Sequence, residues 1–321
     1  MIRYLWEYNS PGLARNVRLF GEHAYLADEG SGLQIVQSRN YGSFDWLSTE
    51  YLPSIPSRLA VQGNTAFIAA GALLAVDITD PENTSLIANF SPGSGPITGV
   101  DVEGKLAVVA EDDSVMVLDV SQPATPTVLG GVSVSQPACV VLQGGRAYAV
   151  GNTGLSVIDI SNPSAPATVA FVSGPATALD VCGNRLVVGT QSSLKLYDVT
   201  TATPAVLATS SSYPVEDLKL QDGTAHVVDS DGLYTLYDIS GGSFVWLNNA
   251  GGATVSGNYR IDVEGDRAVV FGGDFLIIFN LSQPAFPSFG GYYEFGIQGG
   301  IALNGNKNAV NETEGPNKRT R

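Results

Sequence analysis

The chain says nearly the same thing over and over. "NVRLFGEHAYLADEGSGLQIV" (16–36) returns as "LAVQGNTAFIAAGALLAVDI" (59–78), "VDVEGKLAVVAEDDSVMVLDV" (100–120) and "VVLQGGRAYAVGNTGLSVIDI" (140–160). Anchored on the turn after the first strand of each unit, the markers are Gly21, Gly63, Gly104, Gly144, Gly183, Asp222, Gly265 and Gly305, spaced by 39 to 43 residues. A period of about 40 residues, built from short β-branched and aromatic runs with Gly, Pro, Asn and Ser between them, predicts an all-β chain: a β-propeller with four strands per repeat. No helical period competes.

In the fourth unit the strands read as a "CVVLQ" (139–143), b "AYAV" (147–150), c "LSVIDI" (155–160) and d "ATVAFV" (167–172). These runs are apolar on both faces, as blades packed between two neighbours require. In "VDITDPENT", "LDVSQPATP" and "IDISNPSAP" an Asp ends strand c, a Ser or Thr follows, and Pro stops the ladder. A short carboxylate there accepts hydrogen bonds from the turn, so Asp77, Asp119, Asp159, Asp198 and Asp238 are expected to be structural. "GLQIVQS", "ALLAVDIT", "SVMVLDVS", "GLSVIDIS" and "SLKLYDVT", each preceded by a Gly turn and an apolar strand, resemble the LVIVD-repeat proteins of bacteria and archaea. That resemblance implies a propeller, an extracellular or cell-envelope location and no assigned reaction; beyond the turn Asp it carries no site residues.

The ends bear on the blade count. "RYLWEY" (3–8) corresponds to a strand d, and "GIALNGNKNAVNE" (300–312) reads as strands a and b of an eighth unit. The expectation is an eight-bladed ring closed by the N-terminal strand, with seven blades as the alternative. One domain is expected over 1–315, with a disordered tail at 316–321.

With 44% apolar residues the chain can bury a large core, while a net charge of −15 disfavours nucleic acid and anionic membrane surfaces. Two Cys, Cys139 and Cys182, rule out a disulfide-built fold and are expected to be small buried filling. The N-terminal stretch is too short in apolar residues for a signal peptide, and no run approaches a membrane span, so a monomer without membrane insertion is expected.

Charge sorts by loop type. In a propeller the d–a and b–c loops share one face, and the b–c loops carry Asp28, Glu29, Glu111, Asp112, Asp113, Asp229, Asp231 and Asp274. This acidic face could hold Ca²⁺ or another divalent metal, or a basic partner; the other reading is solvated turn carboxylates. Strand a, the innermost, carries Arg18, Asp101, Asp180, Lys219 and Asp262 three residues before the marker, where Asp180, Lys219 and Asp262 form a candidate salt-linked triad and Asp101 lacks a basic neighbour. Two positions earlier, Asn16, Arg58, Asp217 and Arg260 place mixed charge at the channel mouth, where Arg58 and Arg260 could bind a small polar or anionic ligand. Tyr213 and Tyr259, in d–a loops, are candidates for stacking on it.

Only His23 and His226 occur, and neither a nucleophile elbow nor a phosphate-binding loop is present. The reading is therefore a non-catalytic binding or scaffold propeller whose partner is a protein or a small polar ligand. The alternative is a metal-dependent hydrolase of esters, lactones or phosphotriesters at the channel mouth, with Asp101 and Asp217 as catalytic candidates and Asn16 beside them.

Overall fold

In the computed structural model the described residues are 14–39, 43–93, 95–251, 259–272, 275–282, 301–302 and 310–311. Strand a of the successive blades spans Ala14–Phe20, Arg58–Gln62, Ile97–Glu103, Pro137–Gln143, Ala178–Cys182, Val215–Gln221 and Arg260–Glu264. Six blades are antiparallel a-b-c-d meanders, and the seventh has three described strands, ending with Phe275–Asn280. Blade 4, with Pro137–Gln143, Arg146–Gly151, Gly154–Asp159 and Ala167–Ser173, follows the boundaries expected from its apolar runs.

Burial explains why those runs are apolar throughout. In blade 2, strand b (Thr65–Ala70) is buried at every position, whereas strand d (Ser85–Phe90) is half exposed. Among the described residues the core is not one central mass but seven clusters, each sandwiched between adjacent blades. In the cluster between blades 7 and 1, Val17, Leu19 and Leu26 meet Val269, Phe271 and Ile278. In six blades the c–d pairing slips at the same repeat position, for instance between Val117 and Leu118, a recurrent irregularity of the kind that adds twist to an outer strand.

The structure thus has seven blades, the alternative reading, and the eighth blade is not formed among the described residues. The side of blade 7 on which an eighth would pack is occupied by blade 1. Residues 301–302 and 310–311 form only a two-residue ladder. The expected closing strand 3–8 and the tail 316–321 lie outside the described residues.

The a–b marker has a backbone reason. Gly21, Gly63, Gly104, Gly144, Gly183 and Gly265 all have φ between 55° and 62°, a region that side chains disfavour. Asp222 takes the same conformation at φ 49°, which Asp tolerates better than most residues. At the end of strand c, Asp77, Asp119, Asp159, Asp198 and Asp238 each accept the amide of the residue two positions on, at 2.8–2.9 Å, and the hydroxyl of that Ser or Thr, followed by its amide, holds their carboxyls below the ordinary range. Asn280, at the same position in the seventh blade, accepts from Ser282 in the same way.

Candidate functional site

Strand a lines the channel, and its polar side chains stitch one blade to the next. Asp101 accepts the Leu142 amide at 2.7 Å, Asp180 that of Leu220 at 2.8 Å, and Asp262 that of Leu19 at 2.7 Å. Two positions earlier, Asn16 accepts from Leu59 at 3.1 Å and Asp217 from Ile261 at 3.2 Å. A further set of stitches sits one residue before the marker. Gln143 accepts the Gly183 amide at 2.9 Å and donates to the Gly183 carbonyl at 2.7 Å; Gln62 and Gln221 clamp Gly104 and Gly265 in the same way. Sequence reasoning missed these clamps, although "VQG" and "LQG" before the turn were there to read. Cys182 replaces the Gln in blade 5 and is exposed, correcting its expected burial; Cys139 is buried.

Below the mouth the channel is filled by charge. Lys219 lies 3.8 Å from both Asp180 and Asp262, as the repeat position suggested, and Arg18 lies 3.6 Å from Asp262. Burial raises the carboxyls of Asp101 and Asp180, opposed first by the Lys219 ammonium. Burial pulls the Arg18 guanidinium down, but Asp262, Asp217, Asp101 and Asp180 outweigh it and the net shift is upward. Asp101 is therefore not isolated: Lys219 and Arg18 act on it across the channel, a proximity that comparing only adjacent repeats could not reveal.

The mouth differs. It opens into a cavity of about 550 Å³ with Arg15, Glu29, Arg58, Glu216 and Arg260 in its wall. Arg58 lies 3.8 Å from Asp217, and Arg260 3.7 Å from Glu216. One nitrogen of Arg260 donates to the Tyr259 carbonyl at 2.8 Å and to that of Glu216 at 3.3 Å, while its Nε has no partner. Burial and then the neighbouring Arg58 charge lower Arg260 to about 10. Asn16, fully buried on the same ring of positions, leaves its Nδ2 without a partner. Two neighbouring cations in one cavity wall and two unsatisfied donors thus occur at this end of the channel.

The acidic loops are tied into their own turns or into neighbouring loops. Asp28 accepts from Gly30 and Ser31, both at 2.8 Å, Glu111 from Gly95 at 2.8 Å, and Asp113 from Gln136 at 3.3 Å. Asp229 accepts from Asp231 at 2.9 Å and Leu233 at 3.0 Å, and Glu29 pairs with Arg15. The Asp112 carboxylate lies close to Gly95. Among the described residues no three His, Cys, Asp or Glu side chains converge as a metal-holding group. Asp274 lies outside the described residues.

The two tyrosines part company, and neither stands over the channel as expected. Tyr259 is 1% exposed because its ring fills the space left by Gly232 and Gly272. Tyr213 is 64% exposed and lines a separate cleft between blades 5 and 6. His226, buried against Tyr234 with Nδ1 2.6 Å from the phenol oxygen, is lowered by burial to about 4.

Seven successive repeats, six of them with four described strands and the seventh with three, around a charge-filled channel define a repeat-built β-propeller. The LVIVD repeat model matches residues 11–37, 56–91, 94–134 and 138–173, so the first four repeats are LVIVD repeats, consistent with an LVIVD-repeat β-propeller. No curated protein matches it in sequence. Among solved structures it is similar to a computationally designed protein, Ika8, at 13% identity and TM-score 0.66, covering 93% of this chain and 96% of that one. A Lactobacillus plantarum protein aligns at 18% identity and TM-score 0.64 over 76% of this chain and 85% of its own. A chain of a mitotic checkpoint complex aligns at 11% identity and TM-score 0.71 over 86% and 95%. At these identities the likeness concerns the fold alone. Among the described residues no helix is long and apolar enough to cross a membrane.

Proposed function

We propose that this propeller is a non-catalytic binding module whose channel mouth holds a small organic anion, a carboxylate or phosphate, between Arg58 and Arg260. The observation that carries the reading is the pair of like charges from blades 2 and 7, close enough for Arg58 to depress Arg260, over a cavity of about 550 Å³. Like-charged guanidiniums in a partly desolvated site repel, and an anion bridging them turns that repulsion into charge-assisted hydrogen bonds. The unpartnered Nε of Arg260, a residue of the cavity wall, is a donor such an anion could use. The cavity size also suits a small ligand rather than a macromolecule.

Glu216 and Asp217 are the competitors. They pair with the two arginines at 3.7 and 3.8 Å, long for direct hydrogen bonds, so a ligand can displace them without breaking a short contact. Calorimetric titration with succinate and with inorganic phosphate tests the reading. One site per chain is expected, weakened at least tenfold in Arg58→Gln and in Arg260→Gln. Absence of heat with both anions, or binding that survives both substitutions, overturns it.

A further inference from the structure

The cleft between blades 5 and 6 is independent of the channel. It encloses about 410 Å³, with Tyr213, Tyr237 and Trp246 presenting rings to it and Asp229, Thr235 and Asn249 presenting polar groups. Trp246 is 57% exposed and Tyr213 64%, a large apolar area to leave in water beside a concave, hydrogen-bonding wall.

The repeats explain why a cleft opens here. Thr235 of blade 6 pairs across its sheet with Asn249, two short polar side chains. At the corresponding positions blade 3 pairs Met116 with Gly131, blade 4 pairs Ser156 with Phe171, and blade 5 pairs Lys195 with Thr209. In blade 3 the Met116 sulfur lies directly over Gly131. Each of these pairs in blades 3 to 5 includes one long side chain, whereas the blade 6 pair has none. Strand d of blade 6 adds Trp246 opposite Tyr237, where blades 3 and 4 carry Val128 and Thr168.

We infer that this cleft binds a neutral saccharide, with a pyranose ring laid on Trp246 or Tyr213 and its hydroxyls bonded to Asn249, Thr235 and Asp229. The C–H face of a pyranose is apolar and flat enough to stack on an indole or phenol ring, whereas its edge needs paired donors and acceptors. Asn249 offers both and Thr235 a hydroxyl. Asp229 takes its two turn amides on Oδ1, leaving Oδ2 without a described hydrogen bond. The adjoining Asp231 and the net charge of −15 disfavour uronic acids and sulfated sugars. A quaternary ammonium requires rings converging on one point, whereas Tyr213 and Trp246 are splayed open to solvent and the wall is rich in hydrogen-bonding groups.

The test is calorimetric titration of the whole chain with cellotetraose, maltotetraose, mannotetraose and chitotetraose, and separately with tetramethylammonium. At least one oligosaccharide is expected to bind saturably. Its affinity should fall at least tenfold in Trp246→Ala and in Asn249→Ala, both exposed substitutions checked for folding by circular dichroism. Thr235→Met, which covers the face as Met116 does in blade 3, should abolish binding, while Arg58→Gln should leave it unchanged. No binding by any of the four sugars, sugar binding indifferent to Trp246→Ala, or a preference for tetramethylammonium overturns the inference.

Discussion

The Leu142 amide of blade 4 donates to the Asp101 carboxylate of blade 3 at 2.7 Å, so a half-buried charge on one blade takes a backbone hydrogen bond from the next. The same contact recurs at Asp180 with Leu220 and at Asp262 with Leu19. A carboxylate is a stronger acceptor than an amide, yet it pays more for burial.

That balance can be measured at Asp101. Its folded pKa is raised, chiefly by burial, so its contribution to stability is fully present below the unfolded value of 3.8 and is lost as pH rises through the folded value. Asp101→Asn keeps an acceptor for Leu142 and removes the half-buried charge. At pH 7 it is expected to leave stability unchanged or raise it by up to about 1 kcal/mol. Asp101→Ala, which leaves the amide unpaired, should cost roughly 1–3 kcal/mol. Urea unfolding at pH 7 decides the matter, and an Asn variant as damaged as the Ala variant would contradict the account.

The glutamine clamps make a prediction about blades 4 to 6. Gln143→Ala should destabilise by about 1 kcal/mol, since two exposed hydrogen bonds to Gly183 are lost. Cys182→Gln places the same side chain before the Asp222 turn and should stabilise by a few tenths of a kcal/mol to about 1. Thermal unfolding of the two variants reads both; a Cys182→Gln protein that melts below the parent would show that the clamp depends on more than the residue at this position.

His226 gives a pH dependence of known sign. Its folded pKa, about 4, lies below the unfolded 6.5, so the folded chain resists a proton that the unfolded chain takes up. Stability should fall as pH drops from 6.5 toward 4, by about 3 kcal/mol at the lower end for a shift of this size. His23, lowered mainly by burial, adds a smaller slope in the same direction. Denaturant midpoints at pH 7, 6 and 5 should decline in the parent and decline less in His226→Gln; parallel curves would refute the assignment.

How far the sequence carried these conclusions depends on whether a feature repeats. The strands of blade 4, the turn role of Asp77 and its equivalents, and the Asp180–Lys219–Asp262 link were all legible, because each follows from one position read down the repeats. The seven blades match the alternative reading; the lean to eight came from 300–312 looking like another unit, while nothing local announces that Val269 and Phe271 cluster with Leu19 and Leu26. Asp101 looked isolated when only adjacent units were compared, whereas in a narrow channel Lys219 and Arg18 reach it from further round the ring. Tyr259 looked like a loop aromatic, but Gly232 and Gly272 admit its ring to the core. The cleft beside Trp246 escaped notice because it arises from what blade 6 lacks, a long side chain at Thr235.

The account rests most heavily on Arg58 and Arg260 as an anion site, and the melting temperature in succinate tests it most directly. An anion bound only by the folded chain stabilises it by about 2.7 kcal/mol at a hundred times its Kd. At constant ionic strength, with chloride exchanged for succinate, the parent should melt several degrees higher and Arg58→Gln should not respond. Equal melting temperatures in chloride and succinate for the parent, or an equal rise in both proteins, would contradict the central claim.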